Sequence, residues 1–303
     1  MNVPRELQIW RSLVSETQFA VELTNLGITR LCHVPLPEHF FIGNPRDGQY
    51  ALDVGLHSFT SGLERLCKLA ISVHNFCLNN EFPNLRKLSH NIKDILDQLE
   101  KCDMTSFAHA TDKYLTRPVD PLDPELTKFL TQFAQGAGRY EYLDALSYSD
   151  RDTDMYQDWQ LLCARSSLHD DIKNLVALRS VIPDAIDAGI SGPVEALLDF
   201  FTIENCFGKT MYEPSVAVAL SLFRKARWAA ACLSSVSSHA FRVLHIPGIL
   251  PGIPYLTEIV SPGLLHSSSS YFQYNIAKLN DVGGINEALS AIRFPNEDDT
   301  EED

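Results

Sequence analysis

The sequence predicts an all-α fold, on three observations. Apolar residues recur at intervals of three and four along several long stretches, and prolines and glycines cluster between those stretches. No run alternates apolar and polar residues between Asn-Gly or Asp-Gly turns, so strand signals are poor throughout.

The first helix is expected over about 5–26, where Leu7, Trp10, Leu13, Val14, Thr17, Val21 and Leu23 approximate a helical stripe and Gly27 follows as a stop. Residues 28–49 carry Pro35, Pro37, Gly43, Pro45 and Gly48, too many breakers for a regular element, and are expected to form a long ordered loop or to cover a ligand. A second long helix is expected over about 50–79, on Leu52, Leu56, Phe59, Leu63, Leu66, Leu69, Ala70 and Val73, weakened by Gly55 and Gly62. A shorter helix should begin near Leu88, capped by Ser89, and bury Ile92, Ile95, Leu96 and Leu99.

The next is expected after Pro124, on Leu126, Phe129, Leu130, Phe133, Tyr140, Leu143 and Leu146. Gly136 and Gly138 fall in its middle, where each costs about 1 kcal/mol relative to Ala, which points to close helix contact or a kink. Residues 154–186 are again helical in pattern, and further helices are expected at 193–206 and 213–238. Pro247-Gly248, Pro251-Gly252 and Pro254 rule out a regular helix over 246–262, which reads as a buried or lid-like loop. Short helices at 262–280 and 285–293 precede the tail.

With 303 residues, 45% of them apolar, the chain can bury a sizeable core. Its formal charge of −14 is partly local, because Glu297, Asp298, Asp299, Glu301, Glu302 and Asp303 form an acidic tail, and removing those six leaves about −8. An acidic body does not suit sequence-independent binding to nucleic acid, which relies on Lys and Arg against phosphates. The densest basic patch is Arg224, Lys225 and Arg227 beside Trp228, which is expected to meet an acidic partner, a phosphate or the acidic tail. The same charges interrupt the most apolar stretch, 215–236, which therefore reads as a buried helix and not a membrane span.

Seven scattered cysteines without a C-x-x-C pair argue against a disulfide framework or a zinc site, and point to a reducing compartment. No apolar signal segment is visible at the start, so a cytoplasmic location is expected. Phosphate loops, dinucleotide fingerprints, zincin motifs and hydrolase elbows are absent, and no cofactor or metal is expected.

Two phrases stand out. The run from Ser61-Gly62-Leu63-Glu64 to Lys68-Leu69 is followed by Leu88-Ser89-His90-Asn91-Ile92, and together they resemble the HEPN superfamily of helical-bundle proteins. There, one helix carries a glycine, an apolar residue, a glutamate and a lysine four further on, and the next opens with a histidine. Glu64 and Lys68 are thus candidate binding residues, and His90 a candidate catalytic one. Their plainer reading is a helical ion pair of about 0.2–0.5 kcal/mol, with a histidine that orients two helices.

The second phrase runs from Phe133 to Asp144 and places Arg139 where the superfamily usually has an arginine on its last long helix, which makes Arg139 and Asp144 candidate catalytic residues and Tyr140 a candidate binding one. Active HEPN ribonucleases follow that arginine with four to six residues and a histidine. Here Asp144, Ala145 and Leu146 stand in those positions, and no arginine in the chain has a histidine at that spacing. A carboxylate so close to Arg139 is expected to pair with it and not to transfer protons. Arg165 and His169, four apart on one expected helix face, are further binding candidates.

The resemblance, over about 50–150, implies a HEPN-like helical bundle that the N-terminal helix completes to give a unit over 1–150, while the residue pattern predicts a helical region over 151–295 and the acidic tail from 296. It implies an interaction or regulatory module, of the kind found in bacterial defence, that has lost or altered the ribonuclease residues. It also implies a homodimer paired through the bundle, with a protein partner, and with RNA only if a local basic cleft exists. A metal-independent endoribonuclease built from Arg139, His90 or His169 is the alternative. A small-molecule enzyme with 246–262 as a lid is the third.

Overall fold

A computed structural model of the chain describes residues 5–34, 45–84, 90–108, 114–118, 122–136, 154–165 and 214–244. The regular elements among them are all helical: α1 Arg5–Cys32, α2 Pro45–Asn79, α3 Ile92–Glu100, a 3₁₀ turn Thr105–Phe107, α4 Asp123–Ala134, α5 Met155–Arg165 and α6 Pro214–Arg242. They belong to a compact unit made of residues 1–166 and 215–260.

The first two helices pack antiparallel over most of their length, and glycine makes that possible. Gly27 does not stop α1, which runs on to Cys32. A Cβ at Gly27 would lie 2.5 Å from the backbone nitrogen of Phe59, and one at Gly55 would lie 2.8 Å from the Leu31 side chain. At Gly62 it would collide with Thr24 and the Ala20 carbonyl. The expected stop at 27 and the two weak points in α2 are thus places of close helix approach, against backbone at Gly27 and Gly62 and against the Leu31 side chain at Gly55. Ala20, Val21, Ile28 and Leu31 of α1 and Leu52, Leu56, Phe59 and Leu63 of α2 are fully buried there. Thr24 and Thr60 satisfy their buried hydroxyls by donating to the carbonyls four residues back, at 2.8 and 2.7 Å.

The expected loop over 28–49 is correspondingly shorter. Helix continues to Cys32 and resumes at Pro45, a residue suited to a first helical position because it has no N–H to leave unbonded; residues 35–44 lie outside the described set. At its far end α2 closes with Asn80 in the left-handed region (φ 57°), its N–H donating to the Phe76 carbonyl at 2.8 Å.

The cap of α3 is Asn91 and not Ser89, because the Asn91 side chain accepts from the Asp94 N–H at 3.2 Å and the helix starts at Ile92. Ile92, Ile95, Leu96 and Leu99 are its buried face, as the spacing predicts. Gly136 is likewise no mid-helix residue: α4 ends at Ala134 and Gly136 takes φ 111°, a conformation that only glycine adopts without strain. Gly138 and the remainder of that expected helix lie outside the described residues, as do the expected helices at 193–206, 262–280 and 285–293, the 246–262 loop and the acidic tail. Asp154 caps α5 by accepting from the Tyr156 and Gln157 N–H groups, both at 3.0 Å, and Trp159 is buried near the Phe129 ring, 6.1 Å between centroids.

Helix α6 is buried along much of its length, through Val218, Leu222, Phe223, Ala229, Leu233 and Val236 among others. No described helix is long and apolar enough to cross a membrane. Two residues of the basic triplet in α6, Lys225 and Arg227, are buried, in place of the patch expected to meet an acidic partner, a phosphate or the acidic tail. Lys225 is 1% exposed and pairs with Asp123 at the start of α4. Arg227 lies over the Tyr114 ring at 3.9 Å and near the Phe223 ring at 5.2 Å. Arg117 links the Lys225–Asp123 pair to the more exposed acids of α3, bonding Asp97 at 2.8 Å and Glu100 at 2.9 Å with Asp123 at 3.8 Å. Lys225 turns inward to an acid on α4, and Arg227 to aromatic rings.

Phe107 of the 3₁₀ turn sits edge-on to two histidine rings, His74 of α2 at 5.3 Å and His239 of α6 at 4.7 Å. Burial pushes the His74 pKa below its ordinary 6.5, while Asp103 pulls it upward. The folded chain therefore resists the proton that the unfolded chain accepts, and His74 costs stability as pH falls through about 6.5. Between about pH 7.5 and pH 5.5 the melting temperature of His74→Phe should fall less than that of the parent. Equal falls would place the acid sensitivity in another group.

Candidate functional site

Beyond Gly62 the contact between α1 and α2 changes character. The next α2 positions facing the first turns of α1 carry Arg65, Lys68 and Leu69 in place of glycine, and there a cleft of about 900 Å³ opens. Gln8, Ile9, Ser12, Leu13 and Glu16 of α1 form one wall, and α2 supplies the other from Ser61 to Leu69. Phe82 and His90 close the end, with Phe82 stacked on Phe76 at 4.6 Å.

Glu64 is the hub of this cleft. Its Oε1 accepts from Lys68 Nζ at 2.8 Å and meets His90 Nδ1 at 2.9 Å. The glutamate and lysine side chains are 13% and 14% exposed, whereas the histidine is 80% exposed at the rim. The Asn91 cap fixes the chain that delivers His90, which lies just before α3 and not in its opening turn. Arg65, next to Glu64, turns to Glu16 across the cleft and lies 4.9 Å over the Phe19 ring.

The structure thus brings together the three residues of the first phrase, Glu64, Lys68 and His90, from two segments 26 residues apart. Arg165 is not among the residues lining this cleft: it pairs with Glu125 of α4 at 2.6 Å, exposed to solvent. Arg139, Tyr140, Asp144 and His169 lie outside the described residues. Arg65 and Glu16 were missed by sequence reasoning. Arg65 stands inside the quoted phrase, but its partner is 49 residues away and nothing local announces the pair.

Chemically, the arrangement ties a carboxylate to two donors on one oxygen. That serves to fix α2 against the start of α3, and it withholds Oε1 from work as a base. Among the described residues no group of three or more His, Cys, Asp and Glu side chains is placed to hold a metal ion. Burial pushes the Cys163 and Cys232 thiols up to about 12 and Cys67 higher still, so none is poised as a nucleophile. No protein-family model matches the chain, and no curated protein or solved structure matches it.

Proposed function

We propose that this chain is a HEPN-like helical protein that acts as a non-catalytic interaction or regulatory module, paired as a homodimer, in a setting akin to bacterial defence. One observation carries the reading: the lysine and the histidine of the first phrase, Lys68 and His90, are engaged on the same Glu64 oxygen, as a structural junction requires. The sequence supports it from the other side, since Asp144 stands where the superfamily's proton-transferring histidine belongs. An aspartate of ordinary pKa, about 3.9, stays ionised near neutrality and has no proton to give a leaving group.

The exposure of His90 at the rim of a cleft favours a second reading, an endoribonuclease with a non-standard Arg139 and His90 site. The experiment that separates them is incubation of the purified chain, and of Asp144→His beside it, with single-stranded and structured RNA in EDTA. The unmodified chain is expected to leave the RNA intact. Cleavage that disappears in both Arg139→Ala and His90→Ala would establish the second reading, and a gain in Asp144→His alone would locate where activity was lost.

A further inference from the structure

We propose that the cleft between α1 and α2 binds a small zwitterion with an apolar body, between an amino acid and a dipeptide in size, and does not bind a polyphosphate. The inference is independent of whether the chain cleaves RNA.

The argument rests on how the lining charges balance. Among the described residues the cleft carries two acids, Glu16 and Glu64, and two bases, Arg65 and Lys68. His90 adds positive charge only when protonated. A nucleoside polyphosphate or an RNA backbone would bring several negative charges to a lining whose described acids and bases cancel one another. A ligand with one charge of each sign meets both halves of the lining. An open site of about 900 Å³ lies in the range of small-molecule pockets, where mostly apolar walls converge with a few placed polar groups. Ile9, Leu13, Leu69 and Phe82 supply those walls.

The pairing also leaves capacity for a ligand. Lys68 and His90 both engage Oε1 of Glu64, a residue that lines the cleft, and the incoming ammonium is assigned to its second oxygen. Arg65 and Glu16 are 39% and 41% exposed, and an exposed pair is held weakly enough for the guanidinium to exchange its partner for a ligand carboxylate. The deeper Lys68 reinforces that carboxylate.

The test uses the full chain with L-phenylalanine and L-phenylalanyl-L-leucine, followed by thermal melting and calorimetry. Either zwitterion at about 10 mM should raise the melting temperature by several degrees, as a ligand that binds only the folded state must. Phenylalaninamide and N-acetylphenylalanine, each lacking one charge, should bind about tenfold more weakly or worse. Ser12→Trp fills the cleft from an exposed position that folding does not require, and should abolish the shift while the chain melts near the parent temperature; Lys68→Met, which also removes the partner of Glu64, should melt lower and show a smaller ligand shift measured from its own unliganded temperature. No shift with either zwitterion, equal binding of the two derivatives, an undiminished shift in folded Ser12→Trp, or stronger stabilisation by tripolyphosphate would each overturn the proposal.

Discussion

Asp123→Ala is expected to lower the stability of the chain by about 3–5 kcal/mol, because it leaves Lys225 buried without its counter-charge. Lys225 is 1% exposed and its partner carboxylate 12%, so the ammonium is held away from water beside Asp123. Arg117 loses a partner as well, although Asp97 and Glu100 still hold it. Urea denaturation measures the effect, with the midpoint falling at an unchanged slope. The double variant Asp123→Leu with Lys225→Met should recover most of the loss, since an apolar pair avoids the desolvation that the ion pair has to offset. A loss below about 1 kcal/mol in Asp123→Ala would mean that Lys225 reaches solvent and that this pair behaves as a surface one.

Gly27→Leu should cost about 2–3 kcal/mol despite improving the helix propensity of α1 by about 1 kcal/mol. The new side chain would meet the Phe59 backbone, which cannot rotate away as a side chain would, so α1 and α2 must separate along their shared face. Gly27→Ala should show a reduced loss in the same direction, because its single carbon still lies 2.5 Å from the Phe59 nitrogen. Thermal melting of the pair decides it. A rise in melting temperature for Gly27→Ala, the result expected of an exposed helical glycine, would contradict the close approach.

These two sites also show where sequence reasoning reaches and where it stops. Helical periodicity is a local signal, and it located the buried faces of α2, α3 and α4 because Leu52, Leu63, Ile92, Leu96, Phe129 and Leu130 repeat within single helices. A glycine inside a periodic stretch has two meanings, stop or close contact, and only the partner helix chooses between them. For Gly27 that partner is Phe59, 32 positions away. Charge is ambiguous in the same way. Arg224, Lys225 and Arg227 look like a surface patch until Asp123 and Tyr114 are brought against two of them from another part of the chain. Caps were misplaced by a residue or two, as at Asn91, because Ser89 and Asn91 are both good capping types and only backbone geometry separates them.

The candidate site was legible in part for the same reason. Glu64 and Lys68 sit one helical turn apart, so their pairing follows from spacing, and the resemblance pointed to His90. The cleft itself was not legible. It exists because the glycines that let α1 and α2 touch end at Gly62, while the wall opposite comes from Ile9, Leu13 and Glu16, whose sequence gives no sign of what they face.

The most direct test of the non-catalytic reading is a single-turnover measurement with end-labelled RNA under excess protein in EDTA, near neutral pH. The expected rate of RNA loss equals that of buffer, and equals that of His90→Ala and Arg139→Ala prepared in parallel, which controls for a contaminating nuclease. A rate well above buffer for the unmodified chain, falling to the buffer rate in both variants while they melt like the parent, would contradict it and make His90 a proton-transferring residue.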